Sequence, residues 1–487
     1  MFFRRLVWLL ALTLAIIASP AWACAAGQAA DSGTSSQAGS STQSGSAASP
    51  QAGSPGQSGS STSAPQPSSP KAAPLEPVPY GNGKKQSAKF VTTGPPINFL
   101  TFGADFTSEY DSNLLDTRIG DVGYIVSPQV AMRRDGERWG LAFDYRPTFL
   151  FYSHHSSLNR HNQDLNADAS FQATQRLEFR ARTVFSQYSG FLTPFLRPST
   201  VSGLSSPGGA NGTLLVPDTS QLEDDSRLDV SYRMGFRSSF DVFGNYLTRT
   251  FGQVPNHSYS LLNTQGHTFG AEYMREMSPT MSVGVVYTYE NFHSGPNTRV
   301  GLNIPSGALA WQLSPRLILN VFAGPVYTQL RTVELVPFGP YVLGLPVART
   351  DWHWAAGGSL AEQGRANAIM ISGSRQVTDG GGLLTAVEAS QAALTWNRRV
   401  ARGWTIEWSG GWERNTGLLS GNLSGQFNGE YGRAVILHKL SPGLSAGIGY
   451  EYQRQRGTGS VPIFATFDRN LAYFTMTYNF RQIPLGR

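Results

Sequence analysis

Seven charged residues in the first half of the chain occupy matching positions in short alternating segments. Arg180 and Arg182, for example, alternate with Phe179 and Ala181. The charged residues at this parity are Arg146, Arg180, Arg182, Arg233, Asp144, Asp168 and Asp229. Because successive side chains of a strand point to opposite faces, these charges are expected to share one face of a sheet. Guanidinium and carboxylate groups placed this way either pair across neighbouring strands or attract and orient charged solutes.

Patterns for catalysis or metal binding are weak. His154, His155 and His161 lie close together in sequence without a fixed ligand spacing, so we interpret them as part of a polar loop. The acidic run 223–225 is interpreted as a solvated end of a loop and not as a calcium site. Ser, His and Asx residues occur in no context typical of a hydrolase. We predict no enzyme activity, no cofactor, no metal and, without a basic cluster or stacking motif, no nucleic-acid partner.

The elements that position the charged residues are strands. An apolar–polar alternation of period two recurs through residues 96–480, and the last run, 471–480, carries apolar side chains at every second position. These are Ala472, Phe474, Met476, Tyr478 and Phe480. A strand of about ten residues with one apolar side crosses a bilayer when it is tilted in a closed barrel. Because an arginine on the lipid side costs about 2–4 kcal/mol near the midplane, the charged side is predicted to face the lumen.

The connections between these segments alternate in length. The short ones include Ser-Pro-x turns at 278–280, 314–316 and 441–443. The long ones are predicted at 189–226, 253–263, 331–347 and 416–429. Short turns at one end and long loops at the other are typical of an outer-membrane barrel. The count gives an all-β, transmembrane, antiparallel up-and-down barrel of about 18 strands, with about 16 as the alternative, because four segments are less regular. Those segments surround Tyr246, Arg375, Glu388 and Val435.

Composition agrees with this prediction. Charged residues make up 14% of the chain and apolar residues 40%, and there are 53 glycines. Beyond the N-terminus no apolar run approaches the roughly 18 residues that a membrane helix needs, which excludes a helical bundle. A soluble β-sandwich or propeller is the alternative, but it gives no reason for the alternation of loop lengths. The single cysteine, Cys24, excludes disulfides within the chain.

The N-terminal segments predict export. Residues 1–23 combine Arg4 and Arg5, an apolar core and a small-x-small site, which indicates a signal peptide. Cleavage there makes Cys24 the first residue and a candidate for lipidation. Residues 24–95 consist mostly of Ser, Gly, Ala, Gln and Pro, a composition typical of a disordered leader, here placed in the periplasm. The barrel then occupies 96–480, followed by a short tail at 481–487.

Over residues 96–480 the chain resembles the outer-membrane β-barrel porins of Gram-negative bacteria. The resemblance rests on the signal segment, the alternating strands, the Ser-Pro turns and the aromatic end of the last strand. It implies the cell outer membrane as location, with lipid and lipopolysaccharide as surroundings. It also implies delivery by the barrel-assembly machinery, for which Tyr478 and Phe480 are the candidate signal. The oligomeric state is left open.

The expected function is passive passage of small hydrophilic solutes, since a barrel of about 16–18 strands leaves an aqueous channel. Phe191 and Phe195, in the longest loop, are candidates for an inward-folded constriction. Two alternatives stay open at this point. A family of similar strand number exports exopolysaccharide through an arginine-lined lumen, and a non-conducting structural or adhesive barrel is the other possibility.

Overall fold

The computed structural model describes residues 98–114, 119–189, 220–252, 261–338, 341–382, 384–418, 425–459 and 467–485. The predicted signal segment, the leader with Cys24, and the constriction candidates Phe191 and Phe195 lie outside the described residues and stay predictions. Within the described ranges the only helix is a single 3-10 turn at Ser156–Leu158, and no helix there is long and apolar enough to cross a membrane.

Eighteen long antiparallel strands follow one another along the chain. They are β1 (Phe99–Leu114), β2 (Ile119–Asp135), β3 (Trp139–Tyr152), β4 (Arg160–Gln172), β5 (Leu177–Ser189), β6 (Ser220–Arg233), β7 (Ser238–Phe251), β8 (Thr264–Ser278), β9 (Met281–Ser294), β10 (Thr298–Ser314), β11 (Leu317–Phe338), β12 (Tyr341–Gln363), β13 (Asn367–Gly380), β14 (Leu384–Ala401), β15 (Trp404–Gly417), β16 (Gly425–Lys439), β17 (Leu444–Gly459) and β18 (Phe467–Asn479). A two-residue strand, β19 (Ile483–Pro484), follows in the tail.

The sheet closes into a barrel. Each strand pairs with the next, and β1 pairs with β18 from Gly103↔Asn479 to Asp111↔Leu471. β19 extends this seam by pairing with the first two residues of β1. The predicted transmembrane antiparallel barrel is therefore confirmed, with 18 strands and not 16. The four irregular segments form β7, β13, β14 and β16.

Apolar side chains cover the outer wall because strand parity places them there. On β18, Phe474 and Tyr478 are exposed on the outside, and the ring of Tyr478 meets that of Phe480 edge to face at 4.7 Å. Trp404, Trp408 and Trp412 follow the same rule on β15. Exposed aromatic and aliphatic groups of this kind would be costly in water and match the lipid-facing band and aromatic girdles of a membrane barrel.

Some predicted loop bounds are wrong. The segment 331–347 is not a loop, because β11 and β12 continue to pair as far as Phe338↔Tyr341. Its three prolines suggested a loop, yet the β-branched residues among them favour an extended hairpin. Proline is tolerated in edge strands, where one side of the strand has no backbone partner. The connections predicted at 189–226 and 416–429 end earlier than expected, since β6 begins at Ser220 and β16 at Gly425.

Candidate functional site in the barrel lumen

One hairpin leaves the barrel wall. Backbone pairing between β12 and β13 ends at Ala356↔Arg375, whereas pairing between β13 and β14 continues to Gly380↔Leu384. The end of the hairpin, described at residues 376–382 and 384–386, therefore has no backbone partner in β12 over these residues. We call this segment the inner hairpin. It lies at the end of the barrel that carries the long connections, opposite the Ser-Pro turns.

The inner hairpin packs on the inside of the barrel. Val377 and Ala386 are at most 1% exposed, and they belong to an apolar cluster with residues of the facing strands. The wall residues of the cluster are Phe292, Val300, Leu302, Ile304, Val326, Leu330 and Ala355, from β9 to β12. Apolar groups are unusual on a wet lumen wall, and here they are covered. The burial of this surface holds the hairpin against β9–β12, with each fully buried aliphatic side chain contributing about 1.5–3 kcal/mol.

Ion pairs hold the tip of the inner hairpin. Arg249 of β7 donates from Nη1 to Asp379 Oδ2 at 2.7 Å and from Nε to Glu223 of β6 at 3.2 Å. Arg249 is 1% exposed and Asp379 4% exposed. In the same region the Leu262 N–H donates to the Gly382 carbonyl at 2.7 Å. Because β7 and β13 are far apart in strand order, these contacts show that the hairpin reaches across the inner faces of β8–β12.

Glycines shape the tip. Gly381 and Gly382 have φ values of 62° and 92°, in the left-handed region that side chains rarely adopt. A Cβ on Gly382 would also clash with the ring of Phe251. The run Asp379-Gly380-Gly381-Gly382 between two alternating segments is the signal in the sequence that marks this turn. Sequence analysis did not single out this segment, and its own constriction candidates, Phe191 and Phe195, stay predictions outside the described residues.

The predicted charged residues form ion pairs on the inner faces of β4–β7. Arg180 donates from Nε and Nη2 to Asp168 Oδ2 at 2.9 and 2.7 Å. Asp229 accepts from Arg227 Nη2 at 2.7 Å, and the guanidinium of Arg227 lies 4.4 Å above the ring of Phe243. Sequence analysis missed Arg227, although it has the same parity as Asp229. Both pairs are partly exposed, so each contributes at most about 1 kcal/mol.

The remaining predicted residues lie around this group. Arg182 is in register with Asp168 on one side and Arg227 on the other, which makes it the cation between the two pairs. Asp144 accepts from the side-chain amide of Gln129 on β2, and Arg146 is in register with Asp164 of β4. Arg233 is apart from the others, at the end of β6 next to a short turn. The structure thus brings Arg180, Arg182, Asp168 and Asp229 together and leaves Arg233 outside.

The histidines and the acidic run have structural partners, and His161 lies in β4 and not in a loop. The buried carboxylate of Asp121 accepts from the Nδ1 atoms of His154 at 3.0 Å and His155 at 2.8 Å, and from both backbone N–H groups. Residues 223–225 lie inside β6, not in a loop, and Glu223 pairs with Arg249. Among the residues that the structure describes, no group of three or more His, Cys, Asp or Glu side chains is arranged to hold a metal ion.

The closing seam carries its own buried pair. Arg469 of β18 donates from Nε to Asp111 Oδ2 of β1 at 2.8 Å, and its Nη2 lies 2.6 Å from the same oxygen. Both side chains are at most 1% exposed. This pair joins the first and last strands of the barrel. Removing one partner would leave a buried charge uncompensated, at a cost of about 3–5 kcal/mol.

Comparisons with known proteins find fold similarity. No protein-family model and no curated protein sequence matches the chain. The crystal structure of Pseudomonas aeruginosa OccK3 (OpdO) has 11% sequence identity and a TM-score of 0.37, covering 78% of this chain and 95% of that chain.

Two further structures are similar at the same level. Acinetobacter baumannii OccAB4 has 7% identity and a TM-score of 0.37, covering 80% of this chain and 98% of that chain. The ferric-catecholate import receptor Fiu from E. coli K12 has 8% identity and a TM-score of 0.40, covering 78% and 81%. At such values the strand pairing of this chain, and not its neighbours, establishes the closed barrel.

Proposed function

We propose that this protein is an outer-membrane channel for the passive passage of small hydrophilic solutes, with a bore set by the inner hairpin. The observation that carries the proposal is the inner hairpin itself, held inside an 18-strand barrel by Asp379 and Arg249. A barrel of this strand number is wide enough to leave an aqueous channel, which a folded segment can narrow to the size of small solutes.

The charges beside the hairpin support weak selectivity. The pairs Arg180–Asp168 and Arg227–Asp229 lie on β4–β6, next to the β7 residue that holds the hairpin tip. A solute that passes the tip meets both signs of charge, with Arg182 between the two pairs. Mixed charges orient a polar solute without rejecting either sign strongly.

The location and partners follow from the same proposal. The lipid-facing outer wall fits the outer membrane of a Gram-negative cell, with lipopolysaccharide outside and the barrel-assembly machinery as the route of insertion. Tyr478 and Phe480 are proposed as its recognition signal. Residues 1–23 are proposed to be removed on export, and 24–95 to form the periplasmic leader. The proposed role is transport and involves no catalysis.

Export of an acidic polysaccharide is not favoured by a specific observation. Such a role calls for a net basic lumen, whereas Arg180 is paired with Asp168 and Arg227 with Asp229. A non-conducting barrel is the outcome that the following experiment would detect.

The test is single-channel conductance of the full chain in planar bilayers. In the test variant, residues 379–386 are replaced by Asn-Gly, which closes the pair Thr378↔Val387 with a two-residue hairpin. Removal of the constriction should raise the conductance at least about twofold. The control replaces 337–342 by Asn-Gly in the β11–β12 extension, beyond the last pair of β11 with β10 at Arg299↔Arg331, and should keep the wild-type conductance. Closed traces in wild type and in both variants would overturn the proposal.

A further inference from the structure

A recess interrupts the outer wall of the barrel between β7 and β11. Its volume is about 520 Å³. Phe240, Tyr273, Val285 and Tyr287 form one side of it, and Pro305 and Pro325 the other. Val285 and Tyr287 are exposed on the outer face, so the recess opens toward lipid.

The recess exists because two prolines break one ladder. β10 and β11 pair down to Asn303↔Tyr327 and resume at Gly307↔Ala323, with no backbone pairs between. Pro305 and Pro325 lie in this gap, and neither has an N–H to donate. Gly324 approaches Pro305 so closely that a Cβ there would clash with the Pro305 carbonyl oxygen. At Gly307, in contrast, a Cβ would have nothing within 4 Å. The floor is therefore backbone, with open space above it.

A basic row lies on the same strands, toward the long-connection end. Arg299 of β10 is in register with His293 of β9 and with Arg331 of β11. All three are exposed, and their parity is that of the outer wall, because the adjacent Val300 and Leu330 are buried on the inner face. Arg299 also donates to the side chain of Asn291 at 3.2 Å.

An aromatic row separates the basic row from the recess. Tyr289, Asn303, Tyr327 and Trp352 follow one another across β9–β12, and the rings of Tyr327 and Trp352 are 5.1 Å apart. Tyr and Trp are enriched where lipid headgroups meet hydrocarbon. The basic row is thus at headgroup level, and the recess is in the hydrocarbon.

The spacing matches one lipid molecule. Six residues separate Arg299 from Pro305, which is about 20 Å along a strand and about 15 Å of membrane depth at the tilt of a barrel. One leaflet of hydrocarbon is also about 15 Å deep. On the outer face of β9–β12, the three rows from Arg299 to Asn303 contain no carboxylate. The surface therefore presents cations, then aromatic rings, then an apolar recess.

Resting on the proposed outer-membrane location, with the long connections at the cell surface as is typical of such barrels, we propose that this surface is a docking site for a phosphorylated glycolipid of the outer leaflet, of the lipopolysaccharide class. Its headgroup phosphate is held by Arg299 and Arg331, and one acyl chain occupies the recess. Guanidinium groups bind phosphate in a bidentate manner, which favours this headgroup over an uncharged one. A second copy of the barrel would bring Arg299 and Arg331 against another hydrocarbon-facing wall and leave them without a counter-charge, so the lipid is the better occupant.

The test measures glycolipid binding to the full-length protein in detergent by native mass spectrometry, with purified lipopolysaccharide as the probe. Gly307→Leu places a side chain in the recess, and the matched control is Gly432→Leu, on the outer face of β16, where a Cβ also has nothing within 4 Å. Arg299→Gln/Arg331→Gln removes the phosphate ligands. Its control is Arg414→Gln/Arg456→Gln, at the same end of β15 and β17.

Both test variants should bind lipopolysaccharide at least about tenfold more weakly than the wild type, a difference of about 1.4 kcal/mol, while both controls bind as the wild type does. Equal binding by Gly307→Leu and Gly432→Leu would overturn the proposal. Phosphatidylglycerol is the second probe. If the wild type retains it as well as it retains lipopolysaccharide, the surface binds lipids in general and the proposal is overturned. A dimer of the wild-type barrel that is lost in Gly307→Leu would also overturn the proposal, because the recess would then bind a second copy of the barrel. Conductance is a separate readout, so this site and the channel can fail independently.

Discussion

At the scale of single residues, charges have two different tasks in this lumen. Arg249 and Asp379 are buried and hold a segment in place, whereas Arg180 and Asp168 are 28% and 17% exposed and lie on the inner face of the barrel. The alternation of residues predicted the second group, because parity alone determines the face. It did not predict the first, because Asp379 and Arg249 are 130 residues apart in sequence and meet only when the hairpin folds inward.

Asp379→Ala should release the inner hairpin. It leaves Arg249 with Glu223 as its remaining partner in the ion-pair group, and loss of one member of a buried pair costs about 3–5 kcal/mol. We expect noisier and larger single-channel currents and faster proteolysis near residue 380. The control is Asp468→Ala, which breaks the exposed pair with Arg454 on the outer face of β17 and β18 and should leave the currents unchanged. A quiet wild-type trace from Asp379→Ala would show that apolar packing alone holds the hairpin.

Arg182→Ala should shift ion selectivity toward cations. Arg182 lies between two ion pairs, so its removal leaves the inner faces of β4–β6 with a relative excess of carboxylate. The cation-to-anion permeability ratio, from reversal potentials in a salt gradient, is expected to rise about twofold. Arg331→Ala, on the outer wall, is the control and should leave the ratio unchanged. An unchanged ratio in Arg182→Ala would place the solute path away from β5.

At the scale of elements, strands were predictable and their departures from the wall were not. Every segment with strict alternation became a wall strand, because one face must meet lipid and the other water. β13 and β14 were irregular near Arg375 and Glu388 for a physical reason: beyond these points the hairpin is covered on both faces by protein. In the segment 331–347, proline content outweighed alternation in the sequence analysis, and the paired extension was missed.

The seam between β1 and β18 should be sensitive to its buried pair. Arg469→Ala leaves Asp111 buried and unpaired, and we expect a loss of about 3–5 kcal/mol of stability. The measurement is the temperature at which the folded barrel converts to its slower-migrating unfolded form on a gel. Arg454→Ala is the control, since its pair with Asp468 joins neighbouring strands but is exposed to 27% and 50%. Such a pair contributes about 0–1 kcal/mol, so equal transition temperatures for the two variants would contradict the assignment.

At the scale of the whole molecule, the barrel is asymmetric along its axis. The inner hairpin lies at the end with the long connections, and the Ser-Pro turns lie at the other end. The number of strands and the presence of a lumen were predictable, since loop lengths and alternation reveal both. The position of the inner hairpin was not, because it depends on tertiary contacts of a glycine-rich tip.

This asymmetry should appear in polymer exclusion. Neutral polyethylene glycols that are too large to pass the hairpin should still enter from the end with the short turns and lower the conductance from that side. From the other side the same polymers should be excluded. Equal cut-off sizes from both sides would mean that the narrowest point is near the middle of the barrel. The Asn-Gly replacement of 379–386 should make the two cut-offs equal.

The departure of β13 also leaves a mark on β12. From Ala355 back to Tyr341, β12 keeps its ladder with β11 but has no backbone partner in β13. Backbone groups of successive residues in a strand point to opposite neighbours, so every second amide in this stretch is bonded and the others are not. Deuterium uptake resolved to single residues should therefore alternate between slow and fast along β12, a two-residue rhythm that ends at Ala356, where the β13 ladder begins.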